Sequence, residues 1–140
     1  VVPTKPWETS EELNKIYNTF DVGLFGSKAE GWNLPLLETL SCSIPCISTN
    51  VTGHGEFYQH APEILHLKQL TKVPAQDGIW FKGQGEWYAP KVEEITEKIT
   101  WCIDHWKELP ELGKQSRAVA ERFTWDHAAQ QLEDVLKQIT

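Results

Sequence analysis

The chain has 140 residues with a formal net charge of −7, twenty acids against thirteen bases, of which only Arg117 and Arg122 are arginines. That balance argues against a sequence-independent nucleic-acid binder, whose affinity comes from clustered cations. The length suits one domain with a sizeable core, and no apolar run approaches the roughly 18 residues that cross a bilayer. In chain order, Pro3-Thr4-Lys5-Pro6 reads as extended. Thr9 and Glu12 form a capping-box pattern that opens a helix to about Thr19. Asp21–Phe25 follows as a short buried strand.

The segment Ser27 to Glu38 then places two carboxylates eight positions apart around a strand-to-helix turn. Leu34, Leu36, Leu37 and Leu40 carry helical spacing, Pro35 suits a first turn, and Asn33 is a natural cap. A helix start offers N–H groups and partial positive charge to a diphosphate. The glutamates need a different partner. A carboxylate beside a phosphate is repelled, whereas beside a vicinal diol it accepts from both hydroxyls, so Glu30 and Glu38 point to sugar or ribose. Each member also has a plain reading. Glu38 suits the dipole of a first helical turn, Gly31 a positive φ, Trp32 surface packing, and Ser27 and Lys28 a solvated loop.

Pro45-Cys46-Ile47-Ser48 reads as a second strand, giving a parallel strand–helix–strand unit with a right-handed crossover. Cys42, Cys46 and Cys102 are too few for a disulfide scaffold, and Cys42 and Cys46 read as small buried thiols. His54, His60 and His66 lack zinc spacing, so no metal is expected. Asn50–Gly55 reads as a loop. The stretches at 64–67 and 78–81 read as short strands, with Val73–Asp77 as punctuation. Gly83–Pro90 is turn-rich, and Trp87 and Tyr88 within it, with Trp80 ahead of it, would suit a sugar-stacking surface. Val92, Ile95, Ile99, Cys102, Ile103 and Trp106 share one face of a helix, which makes Trp101 and Trp106 packing residues. Pro110 ends that segment, Leu112–Phe123 forms another, and Thr124 caps a last helix striped by Ala128, Leu132, Val135 and Ile139.

From about Thr9 to Ile139 these features, in this order, resemble retaining glycosyltransferases of the two-domain GT-B fold. The resemblance rests on the E-x7-E segment Glu30-Gly31-Trp32-Asn33-Leu34-Pro35-Leu36-Leu37-Glu38, the approach Ser10–Asn18 and Phe20-Asp21-Val22, the follow-on Ser43–Ser48, and Arg122-Phe123-Thr124-Trp125. It implies an α/β fold: a partial Rossmann-like parallel sheet flanked by helices, with a helical C-terminal tail. The whole chain, 1–140, is then one piece of the donor-binding domain, and the N-terminal portion that holds the acceptor and supplies basic residues to the diphosphate is missing. Glu30 would act on the transferred sugar as the catalytic residue. Ser27, Lys28, Gly31, Trp32, Asn33 and Leu34 would line the donor, Glu38 would hold the ribose, and His54 would lie near the donor ahead of Glu56. The donor would be a UDP- or GDP-sugar, used without cofactor or metal, and the acceptor a sugar, a lipid-linked sugar or a protein. The expected location is cytoplasmic, with peripheral membrane association open to a full-length enzyme. A noncatalytic carbohydrate- or protein-binding module and a sugar-nucleotide epimerase of the same architecture are the alternatives.

Overall fold

The computed structural model describes residues 9–62 and 65–139. Pro3-Thr4-Lys5-Pro6 and Ile64, expected as extended, lie outside them. The remaining elements are α1 (Ser10–Tyr17), β1 (Gly23–Phe25), α2 (Leu34–Ser41), β2 (Cys46–Thr49), α3 (His54–Tyr58), β3 (His66–Leu67), β4 (Leu70–Gln76), β5 (Lys82–Pro90), α4 (Val92–Asp104), α5 (Leu109–Ala120) and α6 (Trp125–Gln138).

Three strands form a parallel sheet in the order β1-β2-β3, with Leu24 opposite Ile47 and Ser48 opposite His66. Successive residues of a strand face opposite sides, and β2 shows the consequence. Cys46 joins Leu36, Leu40, Phe57, Tyr58, Val119 and Ala120 in one core. Ile47 joins Leu65, Leu67, Cys102 and Leu109 in the other. This is the expected α/β layering, a sheet with helices packed against it. Helix α5 packs on α2. The approach is so close that a Cβ at Gly113 would lie 2.0 Å from the Ser43 carbonyl oxygen, which only glycine permits. Glu94, buried in the first turn of α4, uses both oxygens to accept from Lys68 N (2.9 Å) and Gln69 N (2.8 Å), pinning the link between β3 and β4.

Several sequence expectations change. Helix α1 starts as expected, with Thr9 Oγ1 accepting from Glu12 N at 3.2 Å, but ends at Tyr17, and β1 begins at Gly23. Asn50–Gly55 is not loop throughout, because His54 opens α3. Residues 78–81 form no strand. They turn a hairpin whose arms are β4, which reads as punctuation, and β5, which reads as turn-rich by composition while the family resemblance makes it a strand leading into the helix that begins near Val92, as it is. Pro110 sits in the first turn of α5 rather than ending a helix, since a residue lacking an N–H is tolerated there. Cys46 is buried as expected, whereas Cys42 is half-buried and donates Sγ–H to Asn14 Oδ1 at 3.3 Å. The apolar face of α4 divides: Cys102 and Ile95 join the core, while Val92, Ile103 and Trp106 are exposed. Trp101 packs on that core, but Trp106 does not. Helix α6 buries none of its residues, and Leu132, Val135 and Ile139 face solvent.

Candidate functional site

The link from β1 to α2 is built around Asn33. Its backbone takes a left-handed conformation, φ 69°, which asparagine adopts more readily than most residues, and its side chain caps the helix by accepting from Leu36 N at 3.1 Å. That bond fixes the amide orientation. With Oδ1 turned to the helix, Nδ2 faces the Glu30 carboxylate (3.4 Å to Oε1) and His54 Nε2 (2.8 Å).

The rest of the network follows from donor bookkeeping. Because Asn33 donates to Nε2, the His54 proton sits on Nδ1, which is 2.9 Å from Ser48 Oγ and 3.1 Å from Thr49 Oγ1. Both hydroxyls accept there and spend their own protons on carbonyls, Ser48 on Thr49 O and Thr49 on Ser27 O. His54 is fully buried. Burial holds its pKa below the ordinary histidine value, against the opposing pulls of the Glu30 carboxylate and the Thr49 backbone. A second proton on Nε2 would face the Asn33 NH2. Neutral His54 is therefore the form that fits.

The backbone of Glu30 is clasped from the other side. Its N–H donates to Thr52 Oγ1 and its carbonyl accepts from Gly53 N, both at 3.0 Å. A Cβ on Gly53 would stand 2.4 Å from the Gly31 carbonyl oxygen, so this crossing of two loops requires glycine. Gly31 itself has open space where a Cβ would be, and no positive φ. The left-handed residue of the turn is Asn33 instead. Beyond the clasp, the N–H groups of Gly31, Trp32, Asn33 and Leu34 donate to no acceptor among the described residues.

Glu38 lies in the fifth position of α2, past the first turn, so the helix-dipole reading does not apply. Its Oε2 accepts from the Tyr17 hydroxyl at 2.8 Å. Burial, then the Glu38 carboxylate, pushes the Tyr17 pKa well up. Tyr17, Asn14, Asn18, Glu38 and Arg117 line a polar hollow of about 570 Å³. Glu30 and Glu38 share no hydrogen-bond partner among the described residues.

The other expected residues hold varied places. Ser27 and Lys28 offer their carbonyls to Thr49 Oγ1 and Tyr88 N. The Lys28 side chain is exposed. Trp32 packs edge-on against Phe57 and Phe123, with centroids 4.7 and 5.5 Å away, and it shares with Leu34 the wall of a hollow that includes Arg122 and Trp125. Among the described residues no three His, Cys, Asp or Glu side chains group to hold a metal. Sequence reasoning missed Tyr17, Thr52, Gly53, Ser48 and Thr49. Only Gly53 carried a signal, as a glycine in a loop already singled out.

A profile described as "Glycosyl transferases group 1" matches residues 4–105. The chain is also similar to the O-antigen chain mannosyltransferase B of Escherichia coli, 25% identical over 123 residues. That match covers 86% of the chain and 26% of the relative, so the chain spans about a quarter of the relative's length.

Proposed function

The chain belongs to the group 1 glycosyltransferases, and from that membership we propose that it supplies part of the donor site of a retaining enzyme moving sugar from a nucleotide-sugar to an acceptor. The observation that carries the reading is the turn at 30–34. A carboxylate is held on its backbone from both sides, and the next four N–H groups are left unengaged beside a helix start. Such a turn suits a sugar hydroxyl at Glu30 and a phosphate at the N–H groups. We assign the ribose diol to Glu38. His54 acts one step back, orienting Asn33 and through it Glu30, since its ring has no exposed surface.

No metal or cofactor is invoked. The chemistry asked of this half is positioning and charge stabilisation. The helix terminus contributes about 0.3–1 kcal/mol to an exposed anion. Donor binding by the 140-residue chain is therefore weak, and turnover needs the basic residues and acceptor site of a longer protein. The mannosyltransferase relative makes a nucleotide-activated mannose the first donor to try. Calorimetric titration of the chain with UDP- and GDP-sugars, followed by an assay for transfer, tests the reading. Weak binding without transfer is expected, and transfer by the chain alone contradicts the half-site account.

A further inference from the structure

Glu38 lines the polar hollow of about 570 Å³ that lies between α1 and α2. We propose that this hollow is the nucleobase subsite of the donor, with the Asn14 and Asn18 side chains as the groups that read the base edge. The inference rests on the assignment of Glu38 to the ribose diol and deepens it.

Position is the first observation. Leu34 and Glu38 are four residues apart on one face of α2, separated by about 6 Å of helical rise. A ribose 5-phosphate bridges such a gap, with its phosphate at the helix start and its diol at Glu38. The base leaves the sugar from the carbon next to that diol, so it has to lie in the surroundings of Glu38. There Tyr17 donates to Oε2, which orients the carboxylate, while Oε1 has no partner among the described residues.

Charge is the second. Of the two charged residues that line the hollow, Arg117 is held by Glu121 at 2.8 Å and Glu38 is engaged by Tyr17. The rest of the lining is neutral. Such a lining suits an uncharged base better than a further phosphate, and the volume falls in the range of about 300–1,000 Å³ common to small-molecule sites.

Hydrogen-bond polarity is the third. Asn14 Oδ1 accepts from Asn18 Nδ2 at 2.7 Å and from Cys42 Sγ at 3.3 Å, so the amide orientation is fixed. Its Nδ2 is then a donor with no acceptor among the described residues. Asn18 is the complement. Its Nδ2 also donates to the Asn14 carbonyl at 2.8 Å, which leaves its Oδ1 as an acceptor with no donor among the described residues. Linked amides thus offer one donor beside one acceptor. Uracil and guanine each present the matching pair, a ring carbonyl next to a ring N–H, and Leu13 with the Tyr17 ring supplies apolar surface for the base plane. Asparagine is also a poor helix former, so Asn14 within α1 costs stability that alanine would not.

The test is an NMR titration of the labelled chain with uridine 5′-diphosphate, guanosine 5′-diphosphate and ribose 5-phosphate, the last keeping diol and phosphate without a base. The nucleotides are expected to move the side-chain NH2 resonances of Asn14 and Asn18 together with the Glu38 amide, and ribose 5-phosphate to move the Glu38 amide alone of these. Asn14→Ala is expected to weaken binding of at least one nucleotide roughly tenfold, the worth of one hydrogen bond, and to leave ribose 5-phosphate affinity unchanged. That unchanged affinity also shows the variant to be folded. Nucleotides that leave the Asn14 and Asn18 side chains unmoved, or an Asn14→Ala variant with wild-type nucleotide affinity or with equal losses for all three ligands, overturn the base subsite while Glu38 keeps the ribose. No response of Glu38 to any of the three overturns the ribose assignment and the base subsite with it.

Discussion

Asn33 and His54 meet at 2.8 Å, amide nitrogen to ring Nε2, and this contact joins the helix cap to the buried histidine beneath the Glu30 turn. One side chain therefore sets both the start of α2 and the surroundings of a catalytic candidate. Removing it unsettles both. Asn33→Ala loses the cap and the left-handed preference and leaves His54 Nε2 without its donor, a destabilisation of about 2–3 kcal/mol. Asn33→Gly keeps the backbone conformation and costs less. Urea unfolding of the two variants checks the order.

The His54 network makes stability depend on pH in a defined direction. The folded state holds this pKa below the unfolded value, so between the two values the unfolded chain binds the extra proton and the folded chain does not. The contribution is complete above about pH 6.5, the ordinary histidine value, and is lost as pH falls from there toward the folded pKa. Unfolding free energies measured from pH 8 to 5 are expected to decline more steeply in wild type than in His54→Gln.

Gly53→Ala pushes a methyl group against the Gly31 carbonyl and opens the clasp on Glu30. A cost of about 1–3 kcal/mol is expected, typical of forcing a methylene into a tight contact. The Glu30 and Gly31 amide resonances should move by NMR while those of β4 and β5 stay in place.

Glu38→Gln, in a full-length enzyme carrying this segment, is expected to weaken nucleoside diphosphate binding roughly ten- to a hundredfold, the worth of a charged hydrogen bond. Glu38→Ala should be no milder. Tyr17→Phe removes one anchor of the same carboxylate and should produce a smaller loss. Calorimetry giving wild-type affinity for both Glu38 variants removes Glu38 from the site.

The unit β1-α2-β2 was legible in the sequence because every local signal agrees with the tertiary outcome. Strand-length apolar runs flank a turn, and Asn33 and Pro35 mark the helix start chemically. The hairpin was hidden because Pro74, Gly78, Gly83 and Gly85 all read as breakers. In the structure the three glycines take positive φ, and the register shift between Pro74 and Gln76 absorbs the irregularity, so cross-strand pairing overrides the local pattern. His54 falls in a stretch that reads as loop, and its burial depends on the Asn33 turn, twenty-one residues away, which no local window contains. The same holds for Tyr17, twenty-one residues from the carboxylate it supports.

Amide chemical-shift mapping of the labelled chain with a millimolar-range GDP- or UDP-sugar, repeated on Glu30→Ala, tests the donor-site claim most directly. Shifts centred on Gly31–Leu34 and Glu38, strongly reduced in Glu30→Ala, are the expected result. Shifts that leave this turn untouched, or that persist unchanged in Glu30→Ala, contradict it.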